Sequence, residues 1–284
     1  MLDAQSSPAG QYLMNPLQAE AIAASAYIFG FPLVLLDAVH AAVAKQEQDR
    51  CCYDDQGRAV FCLDLARDAF ALRISHGHLQ LRDGWTNVIA SFGTPGTERA
   101  SQAVALVGPR WGGELPAGFS AIGAPTSLVS VVASGLEHPQ TVLVPLPSGQ
   151  EAFRKAAPRV GSWLLPAAVG QVLRMGAGTY LSRLARLMRV NPPGAADEPM
   201  LARLRRIGIA PGEPTRLACL PANLKLALVA GIAAARGAMT ERAEAGGSGL
   251  FRDLRAQAGT DHWGRALWAA ANLFSSLPAH PAGS

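Results

Sequence analysis

The apolar positions change their period along the chain. From residue 16 to 44, Ala19, Ile22, Ala23 and Ala26 lead into a long apolar run, the mark of a buried helical face. Pro32 follows Gly30-Phe31, and a proline inside a helix removes a backbone donor. The pattern therefore predicts a helical pair, one helix ending near Phe29 and a second over Leu33–Lys45. From about Ala59, short runs rich in β-branched and aromatic residues take over, at 59–65, 69–75, 79–83, 86–92, 102–108, 127–134 and 141–146. Gly84, Gly93-Thr94-Pro95-Gly96, Gly112-Gly113 and Pro116-Ala117-Gly118 punctuate them as turns. Beyond Pro147 the helical period returns. It predicts a long helical segment over Leu164–Val190, stopped by Asn191-Pro192-Pro193-Gly194. A helix over Glu198–Ile207 follows, N-capped by Asp197 and ended by Gly208. Next come a helix over Ala222–Ala245, a glycine-rich hinge at 246–249 and a last helix over Thr260–Leu277.

Strands followed by helices predict an α+β fold: an antiparallel β-sandwich, jelly-roll-like, with an N-terminal helical pair and a C-terminal helical region. The expected organisation is a disordered N-terminus at 1–15, the helical pair plus sandwich at 16–147, the helical region at 148–277 and a tail at 278–284.

Composition narrows the classes. Of 284 residues, 49% are hydrophobic and only 16% charged, which fits a folded globular chain. The formal charge of +4 is carried almost wholly by arginine, the lysines being Lys45, Lys155 and Lys225. No basic run is interleaved with aromatics, so no nucleic-acid partner is expected. Ala21–Ala44 is apolar enough to suggest a membrane span, but Pro32, Asp37 and His40 favour a buried helix. The first residues lack a basic segment followed by an apolar one, so cytoplasmic localisation is expected. Cys51, Cys52, Cys62 and Cys219 form no CxxC pair, which excludes a zinc ribbon and suits idle thiols in a reducing compartment.

The segments AYIFGFPLVLLD (26–37), DGWTNVIASFGTPGT (83–97), GPRWGGELPAG (108–118) and APTSLV (124–129) occur in this order. NPPGAADEPMLARLRRIGIAPGEP (191–214) and GTDHWGRALWAAANL (259–273) follow. Together they resemble the bacterial family designated domain of unknown function 1254, over roughly residues 20–275. The resemblance implies a β-sandwich with helical additions and a homo-oligomer; it brings no established reaction. In most relatives a second β domain, domain of unknown function 1214, follows the last helix, and here it is expected to be lacking. Relatives also carry a polar PNxDTLYS motif, for which this chain has YDDQGRAVF (53–61), keeping only Asp55. Their RYY ahead of the tryptophan corresponds here to Ser75-His76-Gly77.

Three groups of residues could carry chemistry. His76 and His78 stand at i and i+2, a spacing that puts two imidazoles on one face of a strand. With Asp64, Asp68 or Asp83 they form a candidate iron, manganese or zinc site, against the simpler reading of turn histidines. Asp83, Trp85 and Asn87 form a candidate ligand cleft, against the reading that the Asx side chains satisfy a turn while Trp85 fills the core. On the last helix, Trp263, Leu267, Trp268 and Phe274 lie on one apolar face, a candidate partner interface. Arg183, Arg186 and Arg189 recur every three residues and read as a solvated face or an anion-holding stripe. No GxSxG, GxGxxG or P-loop is present. The sequence thus predicts a non-catalytic binding or assembly subunit, as a homo-oligomer or paired with a separately encoded second domain. The alternative is a metal-dependent enzyme using His76, His78 and a nearby aspartate.

Overall fold

The computed structural model describes residues 14–44, 51–53, 59–66, 69–74, 78–93, 102–115, 117–134, 142–146 and 164–245, together with His262, Arg265, Ala266 and Ala269. Helix α1 (Pro16–Ala44) begins with an Asn15 cap whose Oδ1 accepts the Gln18 N–H at 2.8 Å. Pro16 takes the first helical turn, where its missing donor costs nothing. The helix then runs straight through Pro32, so the predicted helical pair is a single helix of 29 residues. The cause is burial. Every residue from Ala26 to Leu36 is buried, and a break would expose apolar surface worth more than the roughly 3 kcal/mol an internal proline costs.

Among the described residues nine strands follow: β1 (Cys51–Tyr53), β2 (Ala59–Asp64), β3 (Ala69–Ile74), β4 (His78–Asp83), β5 (Val88–Phe92), β6 (Gln102–Val107), β7 (Ser120–Gly123), β8 (Leu128–Ser134) and β9 (Val142–Leu146). They form two sheets, in the order β1-β2-β8-β4-β5 and β7-β6-β3-β9. All pairings are antiparallel except β6 with β7, which is parallel. The α+β sandwich expected from the strand spacing is present, with β1 and β7 added.

Side-chain alternation explains the layering. On the first sheet, Leu63, Leu79, Leu81, Val129 and Val131 point toward the second sheet and pack with Phe70, Leu72, Val104 and Leu106. The alternate residues Cys62, Leu128 and Val132 point the other way and join the core of α1. The first sheet is therefore covered on both faces, by its partner sheet and by a helical layer.

That layer contains α2 (Leu164–Arg174), α3 (Ala177–Met188), α4 (Glu198–Arg206) and α5 (Ala222–Ala245). The predicted Leu164–Val190 segment is divided at Met175-Gly176, where Gly176 is extended with φ −62° and ψ 150°. Gly208 ends the α4 turn in the left-handed region, at φ +76°. Among the described part of the predicted last helix, His262, Arg265, Ala266 and Ala269 are helical; the hinge at 246–249 lies outside the described residues.

Helix α1 is the axis of this layer, in contact with α2, α3, α4 and α5 and with β2 and β8. It runs parallel to α5: Gly231 abuts Glu20 and Ala23, while Ala234 and Ala238 share a groove with Ala24 and Ile28. The approach is closest at Gly231, where a methyl group would overlap the carbonyl oxygen of Glu20. An alanine ordinarily stabilises a helix interior by about 1 kcal/mol over glycine. Here we expect Gly231→Ala to destabilise instead, by about 1–3 kcal/mol in urea unfolding, because backbone must move to admit the methyl. A stabilised variant would show that the two helices are not in this contact.

Candidate functional site

The β4–β5 turn holds the DGWTN cluster through its own hydrogen bonds. Asp83 Oδ1 accepts the N–H groups of Trp85 at 2.9 Å and Asn87 at 2.8 Å, and Oδ2 accepts Asn87 Nδ2 at 2.9 Å. The Asp83 N–H donates to the Asn87 carbonyl at 2.9 Å, and the Gly84 N–H to Thr126 Oγ1 at 2.8 Å. The turn forces Thr86 to φ +67°, costly for a β-branched residue, and leaves its buried Oγ1 without a hydrogen bond. The geometry directs Trp85 into the helical layer. Its ring stacks on Phe29 with centroids 4.7 Å apart, and Nε1 donates to the carbonyls of Asn191 and Pro192, both at 3.2 Å. Of the three residues expected to line a cleft, Asp83 and Trp85 are buried and committed to these contacts; Asn87 is exposed.

Asn191 continues the connection. Its Oδ1 accepts the Leu128 N–H at 2.7 Å and its Nδ2 donates to the Leu187 carbonyl at 3.1 Å. The start of β8 is thereby joined to the end of α3.

Phe29 also touches a cluster that no sequence motif assembles. His262 meets the Phe29 ring edge-on at 4.9 Å. Its Nε2 is 3.2 Å from Asp197 Oδ1, which also accepts Arg265 Nη2 at 2.6 Å, while Asp197 Oδ2 accepts the Gly194 N–H at 3.1 Å. Asp197 stands at the N-cap position of α4 but makes no side-chain cap bond there; both oxygens are spent on these partners. The spacing of 65 residues between Asp197 and His262 leaves no local signature, which is why sequence reading takes Asp197 as a simple cap.

Burial alone would push the Asp197 carboxyl up; the hydrogen bonds and charges of His262 and Arg265 outweigh it and hold the group at about 2. Burial pushes Asp83 up as well, and there it prevails over the bonds from Asn87 and Trp85 and the charge of Arg265.

His262 also borders an apolar groove of about 340 Å³ between α1 and α5, lined by Ala24, Ser25, Ile28, Ala234, Ala235 and Ala238. Beyond this groove the outer face of α5 is open. Leu226 is 70% and Val229 55% exposed, and Ala230, Ala233 and Gly237 are exposed beside them. Between Lys225 and Glu241 the helix carries one charge, the half-buried Arg236, whose Nη2 donates to the Met175 carbonyl at 2.7 Å.

The other predicted residues separate. His78, half-buried, opens β4 opposite Ser134, whereas Asp83 closes the same strand about 16 Å away at about 3.3 Å per residue. Asp64 pairs with Leu128, at Asp83's end of the sheet, so neither described carboxylate stands beside His78. Among the described residues no three histidine, cysteine, aspartate or glutamate side chains gather as an iron, manganese or zinc site would require. His76, Asp68, Trp263, Leu267, Trp268 and Phe274 lie outside the described residues.

The Asp197 cluster has a pH signature. Its carboxyl titrates near 3.9 in an unfolded chain and at about 2 when folded, so its stabilisation is complete above pH 4 and is lost as pH falls through 2. Between pH 5 and pH 2 the unfolding free energy of the wild type should fall by about 2 kcal/mol more than that of Asp197→Asn. Parallel pH curves for the two proteins would contradict the cluster.

No curated protein matches the chain. A crystal structure of the VPA0106 protein from Vibrio parahaemolyticus is similar in fold, with a TM-score of 0.58 at 19% identity, covering 92% of this chain and 68% of that one. The family described as Protein of unknown function (DUF1254) matches residues 58–140, a shorter span than the motif resemblance across 20–275. The matched residues span β2 through β8, which build most of the sandwich, and this segment is what the chain has in common with that family model.

Proposed function

We propose that this protein is a non-catalytic assembly subunit that pairs with a second copy of itself through α5. The observation carrying this reading is the apolar, uncharged and open face of that helix. In the most apolar 18 residues within Ala222–Glu241 only 39% of the residues are buried, whereas in the most apolar 18 of α1 83% are. Helix α1 is thus accounted for as a core helix, and α5 has a face left over. An exposed apolar stripe of this kind marks an interaction site.

The stripe is also self-complementary. Leu226 and Val229 are bulky and occupy one end; Ala230, Ala233 and Gly237 are small and occupy the other. Two copies crossing antiparallel about a two-fold axis would set Leu226 against Gly237 and Val229 against Ala233 or Ala234, knob against hollow. An isologous interface needs that relation, because one patch must fit itself. Small residues let the helix backbones approach closely, and the stripe from Leu226 to Gly237 is about 16 Å long at 1.5 Å per residue. The exposed free thiol of Cys219 fits a reducing, cytoplasmic setting.

Sedimentation velocity tests the reading. The wild type should sediment as a dimer at micromolar concentration. Leu226→Glu should shift it to monomer with unchanged far-UV circular dichroism, since that side chain makes little contribution to the fold. A monomeric wild type, or a Leu226→Glu protein that remains dimeric, would overturn it.

A further inference from the structure

The arginine stripe on α3 does not behave as one unit. Arg183 is neutralised by Asp37, with Nε at 2.6 Å from Oδ2. Arg205 on α4 pairs with Glu198 at 2.6 Å, and Arg265 with Asp197. Arg186 and Arg189 have no carboxylate partner among the described residues. They are one helical turn apart and face the same space, a pocket of about 290 Å³ also lined by Ser182, Gly212, Glu213 and Thr215.

We propose that this pocket binds a small organic monoacid, its carboxylate held by Arg186 and Arg189. Basic residues in the last turn of a helix complement the helix dipole, which accounts for a positive charge at the end of α3. It does not account for the opposite wall. There the Ser182 and Thr215 hydroxyls meet at 3.1 Å, joining α3 to the segment that follows α4. That segment is fixed by backbone bonds from Gly212 N to the Ala185 carbonyl at 3.4 Å and from Arg216 N to the Gly208 carbonyl at 3.1 Å. Gly212 takes φ +79° and lies so close to Arg189 that a methyl there would come to 3.3 Å from its Cγ. The wall therefore packs against the Arg189 stem at the edge of the pocket that Arg189 lines.

Charge selects the ligand. Two guanidiniums and the Glu213 carboxylate, which is also within electrostatic reach of Arg205, leave the lining with a net charge of about +1. A single carboxylate matches that charge, and its planar pair of oxygens matches a guanidinium fork. A dianion would be opposed by Glu213 and by the negative end of the α3 dipole. The two hydroxyls offer hydrogen bonds to a substituent beside the carboxylate, so a 2-hydroxy acid is a suitable probe.

The experiment is a titration of 15N-labelled protein with lactate and, separately, with inorganic phosphate at constant ionic strength, reading the arginine Nε–H resonances. Lactate should shift two of them saturably. Arg186→Ala and Arg189→Ala should each remove one resonance and weaken binding at least tenfold, with the rest of the spectrum intact. Arg189→Lys, which keeps the charge but not the fork, should weaken it severalfold. Non-saturating shifts, equal affinity in the double alanine variant, or phosphate binding more tightly than lactate would overturn the proposal.

Discussion

Trp85 sits where the sandwich meets the helical layer, and both are bonded to it. Its backbone belongs to the β4–β5 turn, its ring lies flat on Phe29 of α1, and its indole N–H is satisfied by the chain leaving α3. A tryptophan buried with its polar atom bonded contributes both area and direction. The Asp83 carboxylate fixes that direction by holding the turn from inside. The strained Thr86 backbone is the cost, of order 1–3 kcal/mol, and it persists because the surrounding hydrogen bonds leave the turn no alternative. Around this point Asn191 and Asp197 add further ties between segments distant in sequence. The contact between layers is therefore both polar and apolar.

Much of this architecture was legible in the residues. Alternating β-branched runs gave seven of the nine described strands within a residue or two, because each has a face to bury. The three residues of β1 and the partly exposed four of β7 are too short to show a period. Pro32 misled because a local rule meets a tertiary exception: a helix buried at every residue around the proline tolerates one lost backbone bond. The structural reading of DGWTN was legible as well, since Asx residues around a tryptophan describe a turn that points an aromatic inward. The Asp197–His262–Arg265 cluster was not, because its members come from elements that only folding brings together.

The same logic separates the two apolar helices. By composition alone, α1 and α5 both look like core or membrane segments. Packing distinguishes them: α1 is enclosed from Ala26 to Leu36, while α5 gives one face to α1 and leaves a small-residue stripe open. The polar features are distributed in the same way. Arg183, Arg205 and Arg265 are paired within the fold, and Arg186 and Arg189 face a pocket. Among the described residues, the open stripe of α5 and the pocket lined by Arg186 and Arg189 both lie on the surface of the helical layer.

Hydrogen exchange read by mass spectrometry on Trp85→Ala tests most directly whether Trp85 couples the two layers. Such a truncation of a buried tryptophan costs about 3–5 kcal/mol. Protection should fall together in β4, β8 and the last turn of α3, which share this contact. Loss confined to the β4–β5 turn, with α3 and β8 protected as in the wild type, would contradict the account.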